Sequence, residues 1–192
     1  MTEPFVPADP AALDRLVDAY PLGWIVPTAD PSLASPMPLL LGKAEPRALL
    51  GHLPLAGALA GALRTDPRAT FLFQGPAGYI SPALVDGPNW APTWNFAVAV
   101  VTGTVRFDEL LTDTALDRLV AHVEKQQTDP WRVAEMGERY PVLRARVIGF
   151  EAAIEAVRVR FKLGQDESEA DFGTIVERHP DRELAAWMRN YR

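Results

Sequence analysis

The sequence predicts an α+β fold, an antiparallel β-barrel with helices at its periphery. Three observations carry this expectation. About six to eight short apolar stretches alternate with the period of a strand. Strand follows strand too often for a doubly wound parallel sheet, which needs a crossover between neighbours. Finally, 18 prolines and 13 glycines are scattered through 192 residues, so they punctuate many short elements and form no low-complexity tract. An antiparallel barrel accommodates such a pattern.

In chain order, Asp9 and Pro10 read as an N-cap and first helical residue. Leu13, Leu16, Val17 and Tyr20 recur at helical spacing until Pro21. Gly23–Val26 and Met37–Leu41 are short strands, and Pro36 and Pro38 keep the second one's start off a central ladder. Ala48–Leu53 is a third strand. Leu55–Leu63 lacks charge, and Gly57 and Gly61 within it predict a short buried helix with close backbone approach. Ala69–Gln74 is a strand broken by Gly75-Pro76, with Tyr79–Ser81 a short extension before Pro82. Ala83–Pro92 reads as a loop.

Thr93–Phe107 is the clearest strand. Trp94, Phe96, Val98 and Val100 share one face; Asn95, Ala97, Ala99 and Val101 form a small or apolar opposite face. This predicts cover on both sides, with Gly103 marking a bend or bulge. Thr112 or Asp113 is expected to cap a helix with the stripe Leu116, Leu119, Val120 and Val123. Asp129-Pro130 restarts the chain for a helix from Trp131 to Tyr140, stopped by Pro141. Ile148, Phe150, Ala152 and Ile154 alternate on even positions, then Val157, Val159 and Phe161 on odd ones. The phase flip near Ala156 means a bulge or a tight turn between two strands. Ser168 and Asp181 cap two final helices. No repeat or linker is visible, so residues 1–192 read as one domain.

Composition narrows the function classes. With 48% hydrophobic and 23% charged residues the chain is of ordinary globular type. A formal charge of -6 argues against a protein living on phosphate-backbone contacts, so direct nucleic-acid binding is disfavoured. The absence of cysteine excludes disulfides, thiolate nucleophiles and cysteine-ligated metals. The acidic, proline-rich start MTEPFVPADP has no export-signal pattern, and the apolar run Phe96–Val101 is far too short to span a bilayer. The expectation is a soluble cytoplasmic protein.

Chemistry is sparse. No dinucleotide fingerprint, phosphate-binding loop, zinc-protease motif or nucleophile elbow occurs. His52, His122 and His179 are far apart and share no metal-ligand spacing; His122 reads as solvated and His179 as part of a cap. The acidic run Asp166, Glu167, Glu169 and Asp171 complements a helix N-terminus better than it makes a calcium loop. Arg158, Arg160 and Lys162 line one strand face, with Arg144 and Arg146 nearby in sequence. Such a stripe is either an anion site or a solvated face that guards an edge. Trp90, Trp94 and Tyr79 could stack on a planar ligand or anchor a core or dimer interface. Thr93 and Asn95, polar at the start of a buried strand, require partners.

Five segments carry a resemblance. LLGHL (Leu49–Leu53), FQGPAGYISP (Phe73–Pro82), APTWNF (Ala91–Phe96), IGFE (Ile148–Glu151) and RFKLGQD (Arg160–Asp166) resemble, in order and spacing, the PaiB-like family of FMN-binding negative transcriptional regulators. The resemblance covers nearly the whole chain. It implies a split β-barrel related to the pyridoxamine-phosphate oxidase group, a homodimer, and FMN at the subunit interface. It places His52, Tyr79, Ser81, Thr93, Trp94, Asn95, Lys162 and Gln165 at the cofactor, with Arg160 added from the basic stripe. The chain departs from the family pattern at Leu55, Gly57 and Ala77, where Arg, Asn and His are expected, and at Gly164 and Asp166 of KLGQD, where the family has KLSQN. The implied roles are flavin-dependent redox chemistry or flavin sensing; the alternatives are a non-catalytic transcriptional regulator or an interaction module that has lost FMN. No side chain is an obvious acid or base, so any catalysis would rest on the flavin.

Overall fold

The computed structural model describes residues 5–42, 45–87 and 89–192. Met1–Pro4 of the acidic start, and Pro88 in the loop before Thr93, lie outside the described residues. Six strands close an antiparallel barrel: β1 (Leu22–Pro27), β2 (Ser35–Leu41), β3 (Ala48–Pro54), β4 (Arg68–Ile80), β5 (Thr93–Phe107) and β6 (Val147–Lys162). Around the barrel the strands run β1-β2-β3-β6-β5-β4. The helices are α1 (Ala12–Ala19), α2 (Ala58–Thr65), α3 (Leu110–Glu124), α4 (Arg139–Arg144), α5 (Glu169–Arg178) and α6 (Arg182–Asn190). Among the described residues no helix is long and apolar enough to cross a membrane.

The chain divides into two compact units, to both of which the long strands β4, β5 and β6 contribute. One unit comprises Tyr20–Phe73 and Val100–Val157. Its interior is built from inward strand residues, among them Ile25, Leu39, Leu49, Phe71 and Phe150, all fully buried. β1 pairs with β2 and with β4, and β3 pairs with β6 from Ala48↔Ala153 to Pro54↔Val147. Pro36 and Pro38 face β1, while β2 meets β3 only through Leu39–Leu41. The missing N–H groups therefore fall where β2 has one partner, as the sequence suggested. Leu40, Leu50, Ala115 and Leu119 join α3 to this sheet.

Several local expectations are corrected. β4 runs unbroken through Gly75-Pro76. Pro76 lies beyond Ala69–Leu72, the stretch registered against β1, so that ladder loses no bond. β5 is not covered equally on both sides: odd residues from Asn95 to Val105 are buried, while the even ones are partly open, Trp94 and Arg106 most of all. Gly103 marks close approach of strands, since a β-carbon there would lie 2.4 Å from the Ala153 carbonyl oxygen. The cap of α3 is not Thr112 or Asp113. The Asp108 carboxylate accepts from Leu110 N–H at 2.9 Å, and Thr112 is buried, accepting from Gly149 N–H at 3.0 Å. Val123, read as part of the apolar stripe of α3, is exposed. The helix expected from Trp131 to Tyr140 is instead a 3-10 turn, Val133–Met136, followed by α4. Pro141 sits inside the first turn of α4, where a helix needs no N–H. β6 is a single strand of 16 residues, which removes the tight-turn alternative near Ala156. In α2, Leu59, Ala60 and Leu63 are buried, but a β-carbon on Gly61 would meet nothing. That glycine is not a close-approach site.

The other unit comprises Met1–Ala19, Gln74–Ala99 and Arg158–Arg192. Ser168 Oγ accepts from Asp171 N–H, and Asp181 accepts from Glu183 and Leu184 N–H, so both expected caps form. Phe161 is buried edge-on against Trp187 and Tyr191, with ring centres 5.6 and 4.8 Å away. Arg15 of α1 pairs with Asp9 and donates to the Tyr191 hydroxyl at 2.8 Å. These contacts hold α1 and α6 over the end of β6.

Candidate functional site

The second unit assembles an outward face of aromatic rings and cations. Strand alternation puts Tyr79 of β4, Trp94 and Phe96 of β5, and Arg160 and Lys162 of β6 where side chains point away from the interior. Tyr79 and Trp94 are both exposed, Trp94 by 58%, with ring centres 5.9 Å apart. The Arg160 guanidinium lies over Phe96 at 5.5 Å and over Phe5 at 5.6 Å. The Lys162 ammonium lies 5.8 Å from the same Phe5 ring and donates to Thr93 Oγ1 at 2.7 Å. Its nearest described ion pair is long, 4.0 Å to Asp166, although the side chain is only 16% exposed. A cation so covered, with a hydroxyl and a ring face for neighbours, is suited to receive an anion.

Five of the nine expected site residues lie in this unit in two groups: Tyr79 with Trp94, and Thr93 with Lys162 beside Arg160. The other four are placed differently. Ser81 Oγ accepts from Ala83 N–H, capping the turn Pro82–Leu84. Gln165 is committed to the backbone: it donates to the carbonyls of Phe161 and Tyr191 and accepts from Leu163 N–H. Asn95 is 2% exposed and points inward; its amide approaches Met188 Sδ at 3.6 Å, and its oxygen has no described partner. His52 belongs to the other unit, where desolvation lowers its pKa and its buried Nδ1 has no described partner.

Phe5 was not foreseen. Its only sequence signal is an aromatic in a proline-rich start, and the contact with Arg160 spans nearly the whole chain. His179 also gains a definite role. It is buried, Nδ1 accepts from Asp181 N–H at 3.1 Å, and Nε2 faces the Tyr79 carbonyl at 3.2 Å. It fixes the backbone beneath Tyr79.

The departures from the family pattern have structural counterparts. Leu55 is exposed, and Gly57 helps to line a cavity of about 310 Å3 with Ser32, Met37, Leu53 and Leu59. No charged side chain lines that cavity, so an anion finds no cation there. Gly164 adopts φ +87°, where a β-carbon is disfavoured, in the turn that presents Gln165. Among the described residues no cluster of three His, Asp or Glu could hold a metal.

The fold is that of a split-barrel protein, a closed antiparallel barrel with helices around it. Residues 1–156 match the family FMN_bind_2, described as "Putative FMN-binding domain", and the chain belongs to that family. A curated relative, "Protease synthase and sporulation protein PAI 2" of Bacillus subtilis, is 25% identical over 116 residues, covering 58% of this chain and 55% of that protein. A protein of Emericella nidulans named AN0679 is 25% identical over 135 residues, covering 59% and 53%. The chain spans about half the length of these curated relatives. Among solved structures, the FAD and heme binding protein from Mycobacterium smegmatis superposes with a TM-score of 0.60 at 19% identity, covering 86% of this chain and 77% of that one. The flavocytochrome Anf3 from Azotobacter vinelandii gives 0.58 at 17% identity, covering 86% and 73%. At such identities these two report the shared fold.

Proposed function

We propose that this chain binds FMN on the aromatic–cationic face, with Arg160 and Lys162 receiving the phosphate and the Tyr79–Trp94 pair lying against the ring system. The carrying observation is Lys162, a largely covered ammonium beside Thr93 with no short described carboxylate contact. The donor set fits the group: a guanidinium and an ammonium for an oxyanion, and exposed rings for a planar heterocycle. The apolar cavity beside Gly57 does not offer that chemistry. When bound, the flavin supplies hydride or one-electron chemistry. The chain's residues bind and orient it, and none on this face is placed as a general acid or base. Ser81, Asn95 and Gln165 support the site by holding its strands and turns, and His52 is kept in the set on the family resemblance alone. All nine stay in the proposed set, within one domain of residues 1–192.

The name of the Bacillus relative, a protease synthase and sporulation protein, supports a regulatory setting. We read the protein as a cytoplasmic flavin-dependent redox or flavin-sensing homodimer whose route to transcription runs through a protein partner. Leu22, Trp24 and Leu72, exposed large apolar side chains on adjoining strands, support a second copy packing there. Light scattering of the pure protein reads its mass directly.

The decisive test is the visible spectrum of the pure chain before and after FMN addition and gel filtration. A retained flavin band is expected. Lys162→Ala should weaken FMN binding about tenfold or more, the worth of a charge-assisted hydrogen bond. Trp94→Ala should also weaken it. A chain that stays colourless after FMN addition refutes the reading.

A further inference from the structure

We propose that Phe5 is a displaceable cover on the Arg160–Lys162 cation pair and sets how readily an anion reaches it; only the identity of that anion rests on the flavin reading above. One ring spans two charges, 5.6 Å from the Arg160 guanidinium and 5.8 Å from the Lys162 ammonium. The Phe5 carbonyl accepts from Phe161 N–H at 2.8 Å, and Phe161 lies between the two cations on β6. A main-chain bond therefore pins the ring where it is. Phe5 also has φ +70°, the left-handed region that a β-carbon disfavours. A strained non-glycine residue persists only while its surroundings hold it, and such residues gather at clamps and switches.

The holding contacts are one hydrogen bond and two cation–π contacts, each modest where solvent reaches. A phosphate oxyanion is a stronger partner for both cations than a ring face. An anion arriving at Lys162 therefore competes with Phe5 on favourable terms. Phe96 holds Arg160 from β5 at 5.5 Å, and Thr93 holds Lys162 at 2.7 Å. The cations thus stay in place when the ring leaves. Phe5 excludes casual anions from a preformed site and yields to one that meets both charges.

The test compares the full chain with Phe5→Ala and Phe5→Trp. The first reading is the rate at which sulfosuccinimidyl acetate acetylates Lys162, followed by peptide mass spectrometry with exposed Lys125 as internal reference. Phe5→Ala should react about two- to fivefold faster than the parent, the factor an exposed cation–π contact represents, and Phe5→Trp should react more slowly. The second reading is FMN affinity by fluorescence titration, expected to tighten by a similar factor in Phe5→Ala. Unchanged Lys162 reactivity in both variants overturns the cover. Faster acetylation with weaker FMN binding also overturns it, because Phe5 would then be a ligand contact. If none of the three chains binds FMN, the flavin reading fails and the acetylation rates alone decide. If Phe5→Ala loses its fold by circular dichroism, the Phe5→Trp rate decides.

Discussion

Gln165 shows how one side chain can look like a ligand contact and be used by the chain itself. Its three hydrogen bonds close the turn after β6 and reach the last residues of α6. Gln165→Ala should therefore lower stability by about 2 kcal/mol in urea denaturation, whether or not FMN is present, because backbone groups lose their partners. A loss seen only in the presence of FMN would make it a cofactor contact. At this scale the sequence showed which residues are chemically capable, since Arg160, Lys162 and Trp94 are legible as types. It did not show which were already engaged. The Asn95 amide near Met188 and the Nε2 of His179 beside the Tyr79 carbonyl are met by elements far away in sequence.

At the scale of elements, the clean alternations came through and the punctuation misled. β5 spans the expected Thr93–Phe107, and Ser168 and Asp181 cap their helices, because the period-two pattern and cap chemistry are local. Gly75-Pro76 and Pro141 did not break their elements, because a missing N–H matters only where the ladder or helix would have used it. Glycines divide in the same way. Gly164→Ala should destabilise by about 1–2 kcal/mol, since φ +87° disfavours a β-carbon and Phe172 and Met188 crowd it at 3.2 and 3.3 Å. Gly61→Ala, exposed within α2 with nothing nearby, should stabilise by about 0.5–1 kcal/mol. Thermal denaturation of the two variants reads opposite signs; equal signs would refute the assignment.

For the whole molecule, charge sets the acid limits of stability. Burial lowers the pKa of His52, so the folded state favours its neutral ring. Below the ordinary value of 6.5 the unfolded chain binds the extra proton first, and stability falls as pH falls. The Arg68 hydrogen bond holds Asp66 at about 2, and hydrogen bonds from Arg178, Arg106 and Tyr140 lower Asp86, Asp108 and Asp113. For depressed carboxylates the stabilisation is present above their ordinary value near 3.8 and is lost towards pH 2. Denaturant titrations across pH should show a shallow decline beginning below 6.5 and a second one below 4. His52→Gln should remove the first and leave the second. The first decline surviving that substitution would mean another group carries it.

The sequence by itself determined the class of fold, most of its strands and helices, the absence of cysteine chemistry and the family to which the chain belongs. Each of these is written in local periodicity, composition or contiguous motif. Only the tertiary structure decided which outward side chains of β4, β5 and β6 come near one another. It alone brought Phe5 onto cations more than 150 positions away, and it left the stretch after β3 an uncharged cavity. Barrel closure joins residues that no local pattern relates, so the composition of a site at its surface is set by strand order and register.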